Sequence, residues 1–347
     1  MKLSTKIARL VPPLARLHGE RNRLLAERSG LLSERDRILV EFNALKKRQS
    51  QSSSPDELAK SSVKSSSEEL SRFHAMRAAG RLVEFDYPYF PRRRDWNQIP
   101  GGNPYERIIS KNNDSYAKLI RVFLELGEHF SKISVQKPDN EVDPFWDNGW
   151  LPALDGITIY GLLAQNNPRL FMEVGSGNST KFARRAIKDH GLRTKIVSID
   201  PHPRADIDAI CDEVIRQELE NVDLNMFSRL ENDSILFIDN SHRSFQNSDV
   251  TVFFTEILPL IGPGCIYGIH DICLPADYPP SWMERYYNEQ YLLMTYLLGG
   301  AAGDEVIMPA AYIYETKDVH SILDPILQEP VSQGAHPWGA GFWLRRG

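Results

Sequence analysis

The sequence predicts an α/β protein built on a parallel sheet whose ligands gather at the carboxyl ends of its strands. Three observations predict it. The apolar run from Leu170 to Glu173 breaks into Gly175-Ser176-Gly177, ahead of a helix-like segment reaching Ala186. About twenty residues on, a β-branched run from Lys195 to Ile199 ends in Asp200. Two further apolar runs end in chemistry: Ser234 to Ile238 leads to Asp239, and Cys265 to Ile269 leads to His270-Asp271. Short apolar runs alternating with helical segments are the pattern of a buried parallel sheet, and such sheets bind at their strand ends.

Each element has a physical reason. The glycines remove the Cβ that would keep a ligand from the backbone. The dinucleotide fingerprint G-x-G-x-x-G needs a third glycine, and position 180 is Thr. Asp200 is placed to accept the two ribose hydroxyls of an adenosine. Before this sheet, Leu154 to Leu163 reads as a helix, and Tyr116 to Phe130 has helical spacing. Val214-Ile215 reads as a further strand, Trp282 to Leu298 as a tyrosine-rich helix, and Val306 to Tyr314 and Gly341 to Arg346 as final strands.

The N-terminus has its own pattern. Leu3, Leu10, Leu17, Leu24, Leu31, Ile38 and Leu45 share one heptad position, the signal of a coiled coil. Pro12-Pro13 interrupts it, and Arg21, Arg28 and Arg35 stand where a second seam would run, so a lone amphipathic helix is the alternative. The expected organisation is a coiled-coil helix over 1–48, a Ser-rich linker over 49–71, a helical or irregular cap region over 72–150, and the sheet domain over 151–347. The coiled coil predicts a homo-oligomer.

Composition narrows the class. Of 347 residues, 41% are hydrophobic and 25% charged, ordinary for a soluble protein. A net charge of −5 gives no electrostatic reason to expect nucleic-acid binding. There is no run long enough to be a transmembrane segment and no secretory apolar region. Three cysteines without metal spacing read as reduced thiols, and a cytoplasmic location is expected.

Glu173-Val174-Gly175-Ser176-Gly177, with acids after the next strands, resembles the class I S-adenosylmethionine (SAM) methyltransferases. Phe237-Ile238-Asp239-Asn240-Ser241-His242, Gly268-Ile269-His270-Asp271-Ile272 and Asp277-Tyr278-Pro279 are similar to a bacterial, glycan-associated branch. The resemblance implies a Rossmann-like seven-stranded sheet closed by an antiparallel pair. It also implies SAM as cofactor, and O-methylation of a sugar hydroxyl on a glycan, glycolipid or nucleotide-sugar. Carried over, Glu173, Gly175, Ser176 and Gly177 line SAM, Asp200 holds its ribose, Asn221 to Asp223 lie near the adenine, and Asp239 sits beside the methionine end.

An alcohol is a weak nucleophile and needs a base or a metal. His242 and His270 are the candidate bases, with Asp239 beside them. Some sugar O-methyltransferases place Mg²⁺ on an acid after the fourth strand and an Asp-Asp pair after the fifth. The corresponding ligands here are Asp239, His270 and Asp271, with imidazole replacing one carboxylate. Arg92-Arg93-Arg94 is a candidate for a phosphate or uronate on the acceptor, with a solvated basic turn as the alternative. Tyr278, Trp282, Tyr286 and Tyr287 are candidates for stacking on a sugar ring, one or two of them meeting ligand. A non-catalytic scaffold in a glycan-assembly complex and a site for another nucleotide are the competing classes.

Overall fold

The computed structural model describes residues 70–347, apart from Glu84 and Arg204. The heptad segment, and the Ser-rich linker up to residue 69, lie outside the described residues. The chain divides into two units, Met1–Tyr89 and Phe90–Gly347. Of the first, residues 70–78 are helical. All that follows concerns the second.

Its centre is a seven-stranded sheet: β1 (Leu170–Val174), β2 (Lys195–Ile199), β3 (Glu213–Ile215), β4 (Ser234–Ile238), β5 (Ile266–Ile269), β6 (Glu305–Pro309) and β7 (Phe342–Arg345). The spatial order is β3-β2-β1-β4-β5-β7-β6. Five strands run parallel, and β7 runs antiparallel to both of its neighbours. This is the Rossmann-like seven-stranded sheet, closed by an antiparallel pair, that the resemblance implies. β1 and β4 are buried along their whole length, as expected for central strands covered on both faces.

Several helices flank the sheet: α1 (Asn113–Leu124), α2 (Ala153–Asn166), α3 (Asn178–His190), α4 (Glu289–Leu298), α5 (Ala310–Glu315) and α6 (Asp324–Ser332). From Ala153 to Leu163, α2 is buried on every side, which an interior helix with a single acid tolerates only if that acid is satisfied. The Phe237 and Trp343 rings stack at 5.2 Å and 13° across β4 and β7.

The expected elements shift in three places. The helix expected over 116–130 stops at Leu124 and resumes as a short turn from Gly127. The one expected from Trp282 splits into a 3₁₀ turn, Pro280–Arg285, and α4, because Tyr286 adopts left-handed backbone at φ 56°. The strand expected over 306–314 ends at Pro309, where α5 begins. The antiparallel pair β6–β7 is therefore joined by helices rather than by a tight turn.

Candidate active site

The strand order reverses direction at β1, with β2 on one side and β4 on the other. Backbone bonds continue past the strand ends and hold the loops in register. Gly175 N–H donates to Ile199 O at 3.0 Å, Asp239 N–H to Val174 O at 2.8 Å, and His270 N–H to Ile238 O at 2.9 Å. The glycine turn, Asp200, Asp239 and His270 thus stand side by side at the crevice where doubly wound folds bind ligands. A cavity of about 730 Å³ opens there, lined by Gly175, Ser176 and Asp200 at one end and by Asp239, His242, His270 and Asp271 at the other.

At the first end, Asp200 is fixed by two backbone amides. Ser176 N–H donates to Oδ2 at 2.9 Å and His202 N–H to Oδ1 at 2.8 Å. Each oxygen keeps a lone pair for a further donor. The two glycines of the turn differ. Gly175 has φ +80°, and a Cβ there would lie 1.7 Å from the Asp239 carbonyl oxygen, so the β4 loop itself requires glycine. A Cβ on Gly177 would meet nothing within 4 Å. Packing leaves that position free, and the space beside it is open to a ligand.

Glu173 lies beneath the turn, fully buried, and lines neither this cavity nor a second one of about 390 Å³ around the start of α3. Gly177 N–H donates to Thr180 Oγ1, and that hydroxyl donates to Glu173 Oε2. Glu173 Oε1 has no hydrogen-bond partner among the described residues. Burial pushes its carboxyl up to about 7, against the hydrogen bonds of Ser179 and Thr180. Glu173 therefore bears on a ligand through the turn it supports. The expected adenine residues also shift: Gln217 to Glu220 line the cavity, and Asn221 to Asp223 do not.

At the other end, two imidazoles and four carboxylates hold one another. His242 Nδ1 lies 2.9 Å from Glu289 Oε2, and its Nε2 is 3.3 Å from both Asp239 and Asp271. His270 Nε2 lies 3.1 Å from Asp155 Oδ2, and its Nδ1 is 3.3 Å from Asp239 and 3.5 Å from Asp271. Burial disfavours charge on each ring, but the surrounding carboxylates outweigh it and raise both histidines well above their usual range. Burial also opposes charge on Asp239, and His270 and His242 overcome it to hold that carboxyl low. Asp271 moves the other way, raised chiefly by burial. His242 and Asp271 both adopt left-handed backbone, at φ 60° and 55°, a strain that persists only where the surroundings over-determine it.

Asp155 and Glu289 are the members that sequence reasoning missed. Asp155 sits on α2, 1% exposed, and also accepts Ala340 N–H and Gly341 N–H, both at 2.8 Å. Its signal was a lone acid inside an apolar helix. Glu289 opens α4 and is wholly buried.

The residues do not fit the expected metal. Asp239, His270 and Asp271 do converge, but both ring nitrogens of His270 already face carboxylates, and an imidazole stands where a hard cation such as Mg²⁺ takes oxygen. Among the described residues no cluster of three or more His, Cys, Asp or Glu is arranged to hold a metal ion. Arg92, Arg93 and Arg94 are exposed and line neither cavity. Of the four aromatic candidates, Trp282 and Tyr287 line the large cavity, whereas Tyr278 is buried and Tyr286 lies outside the lining. All three cysteines are unpaired. No described helix is long and apolar enough to cross a membrane.

A sheet of this order with a cavity at its switch point defines a nucleotide-type α/β site. Residues 172–272 match a family model described as a methyltransferase domain. Among solved structures, the chain is similar to the SAH-bound methyltransferase PaMTH1 of Podospora anserina, at 13% identity over 65% of this chain and 88% of that one, TM-score 0.35. It is also similar to an O-methyltransferase from Bacillus cereus in complex with SAH, at 13% identity over 69% and 96%, TM-score 0.32. A third is the O-methyltransferase TomG from Streptomyces achromogenes in complex with SAM, at 14% identity over 70% and 99%, TM-score 0.32. No curated protein matches the chain.

Proposed function

We propose that this protein is a SAM-dependent O-methyltransferase whose acceptor is a sugar hydroxyl on a glycan, glycolipid or nucleotide-sugar. The observation that carries the cofactor is Asp200, its carboxylate oriented by two amides at the lip of the cavity with lone pairs to spare. SAM, when bound, supplies an electrophilic methyl group, so the chain has only to align the partners and take up a proton. Asp200 accepts the ribose hydroxyls. The open flank of Gly177 admits the ligand, and the first turn of α3 offers N–H groups to a carboxylate.

The base is Asp271. It lines the cavity, and burial makes it the more basic of the two carboxylates between the histidines. His242 and His270 were the expected bases, but each ring has carboxylates at both of its nitrogens, which leaves neither nitrogen open to an acceptor. They serve as charged supports that orient Asp239 and Asp271. The sugar class rests on the glycan-associated resemblance of the Asp239 and His270 loops, and Trp282 and Tyr287 offer ring faces to such an acceptor.

Calorimetry with SAM tests the central assignment. Asp200→Ala is expected to weaken binding at least tenfold, about 1.4 kcal/mol. Wild-type affinity in that variant removes Asp200 from the cofactor site.

A further inference from the structure

The rim of the cavity beyond His242 carries a feature that methyl transfer does not use. An aromatic row leads away from the histidine. The His242 and Tyr287 rings lie 4.8 Å apart, Tyr287 and Trp282 5.7 Å, and Trp282 and Trp338 6.0 Å. Two guanidinium groups lie against this row. Arg243 is 5.0 Å from the centre of Tyr287, and Arg285 is 4.8 Å from Trp282 and 5.6 Å from Tyr287. All of these residues line the large cavity.

Neither arginine has a carboxylate within ion-pair distance among the described residues. Arg184, Arg185, Arg216 and Arg346, by contrast, each have one. Arg243 spends Nε on the Arg285 carbonyl at 2.8 Å and Nη1 on the Ser241 carbonyl at 3.0 Å, which fixes its plane. Two cations sharing the Tyr287 ring repel one another, and an anion between them relieves that repulsion. Stacking leaves the in-plane N–H donors of a guanidinium directed past the ring edge, the arrangement suited to carboxylate or phosphate.

We infer that Arg243 and Arg285 bind an anionic group, carboxylate or phosphate, on the acceptor sugar, while its ring lies along Tyr287 and Trp282. This rests on the methyltransferase reading for the word acceptor, but not for the site. The anion-binding role expected of Arg92 to Arg94 passes to these two. The acceptor class narrows to sugar acids and sugar phosphates, and neutral sugars are poor ligands.

The test uses the full chain and three probes, glucuronate, glucose 1-phosphate and uncharged glucose, titrated by ligand-detected NMR with and without saturating S-adenosylhomocysteine. At least one anion is expected to bind tenfold or more tighter than glucose, and the tighter of the two names the group. Arg285→Gln is expected to remove at least tenfold of that affinity and leave glucose binding unchanged. Arg285 is exposed, and among the described residues its side-chain nitrogens make no hydrogen bond, so this variant is expected to fold; Arg243→Gln is the second arm. Equal binding of all three probes overturns the proposal, as does binding of none, or wild-type anion affinity in Arg285→Gln. Calorimetry with S-adenosylhomocysteine on the same samples keeps the two readings apart. Its failure to bind overturns the cofactor assignment, whereas the anion titration run without it judges the arginines alone.

Discussion

At one end of the cavity a single carboxylate, Asp200, is held by two backbone amides, one from its own loop and one from the glycine turn. At the other end four carboxylates and two imidazoles hold one another chiefly through side chains, with two backbone amides on Asp155 alone of the six in that network. The first arrangement is inexpensive, because a backbone amide brings no side-chain entropy and the acid stays partly in water. The second removes charges from water and is stable only while every partner is present. An end built on backbone tolerates the loss of its side chain and loses ligand. An end built on mutual charge loses structure first.

Asp155→Ala tests that contrast most severely. It leaves the His270 ring without its buried partner and orphans the amides of Ala340 and Gly341. Unfolding in urea is expected to show a loss of about 3–5 kcal/mol, with SAM affinity retained under conditions where the variant is folded. A loss of SAM affinity equal to that of Asp200→Ala would break the separation of the two ends.

Glu173 is the exception at the Asp200 end, since it is a fully buried acid like those opposite. Its carboxyl is raised to about 7 from 4.5, so the folded chain holds a proton there that the unfolded chain releases. Stability from this group is present at low pH and is lost as pH rises from about 4.5 through about 7, by roughly 3 kcal/mol. Glu173→Gln lacks that decline. Unfolding free energies of the two proteins at pH 5 and pH 8 check it, and parallel behaviour would show that Glu173 is charged in the fold.

The smallest expected effect sharpens the picture within one turn. Gly177→Ala is expected to fold normally and to lose about tenfold in SAM affinity, ~1.4 kcal/mol. Gly175→Ala meets the Asp239 carbonyl and is expected to fail in thermal melts before binding can be measured. Equal stability of the two variants would mean that the β4 loop moves aside.

The same contrast explains what the sequence made legible. Asp200, Asp239, His242, His270 and Asp271 each follow a strand closely, and a strand end is visible as an apolar run meeting a polar residue. Asp155 and Glu289 reach the site from helices, 115 residues before His270 and 47 after His242, and only tertiary packing makes those pairs. The full surroundings of the two histidines were hidden for the same reason. A ring next to one acid reads as a base, and the acid on its far nitrogen is what fills its remaining position. Arg243 and Arg285 were passed over because neither forms a run, whereas the conspicuous Arg92 to Arg94 cluster sits in solvent.

Asp155 also sets an order of assembly. Its carboxylate ties the residues that lead into β7 to the ring of His270. β6 joins the sheet only through β7, and β7 must enter beside β5 from more than seventy residues away in sequence. Until that insertion, β5 presents an open edge and His270 lacks the geometry of its charged state. Contacts this distant form late. The histidine end is therefore expected to assemble after the Asp200 end, and slower protection of the Ala340 and Gly341 amides than of the Ser176 amide in refolding hydrogen exchange would show it.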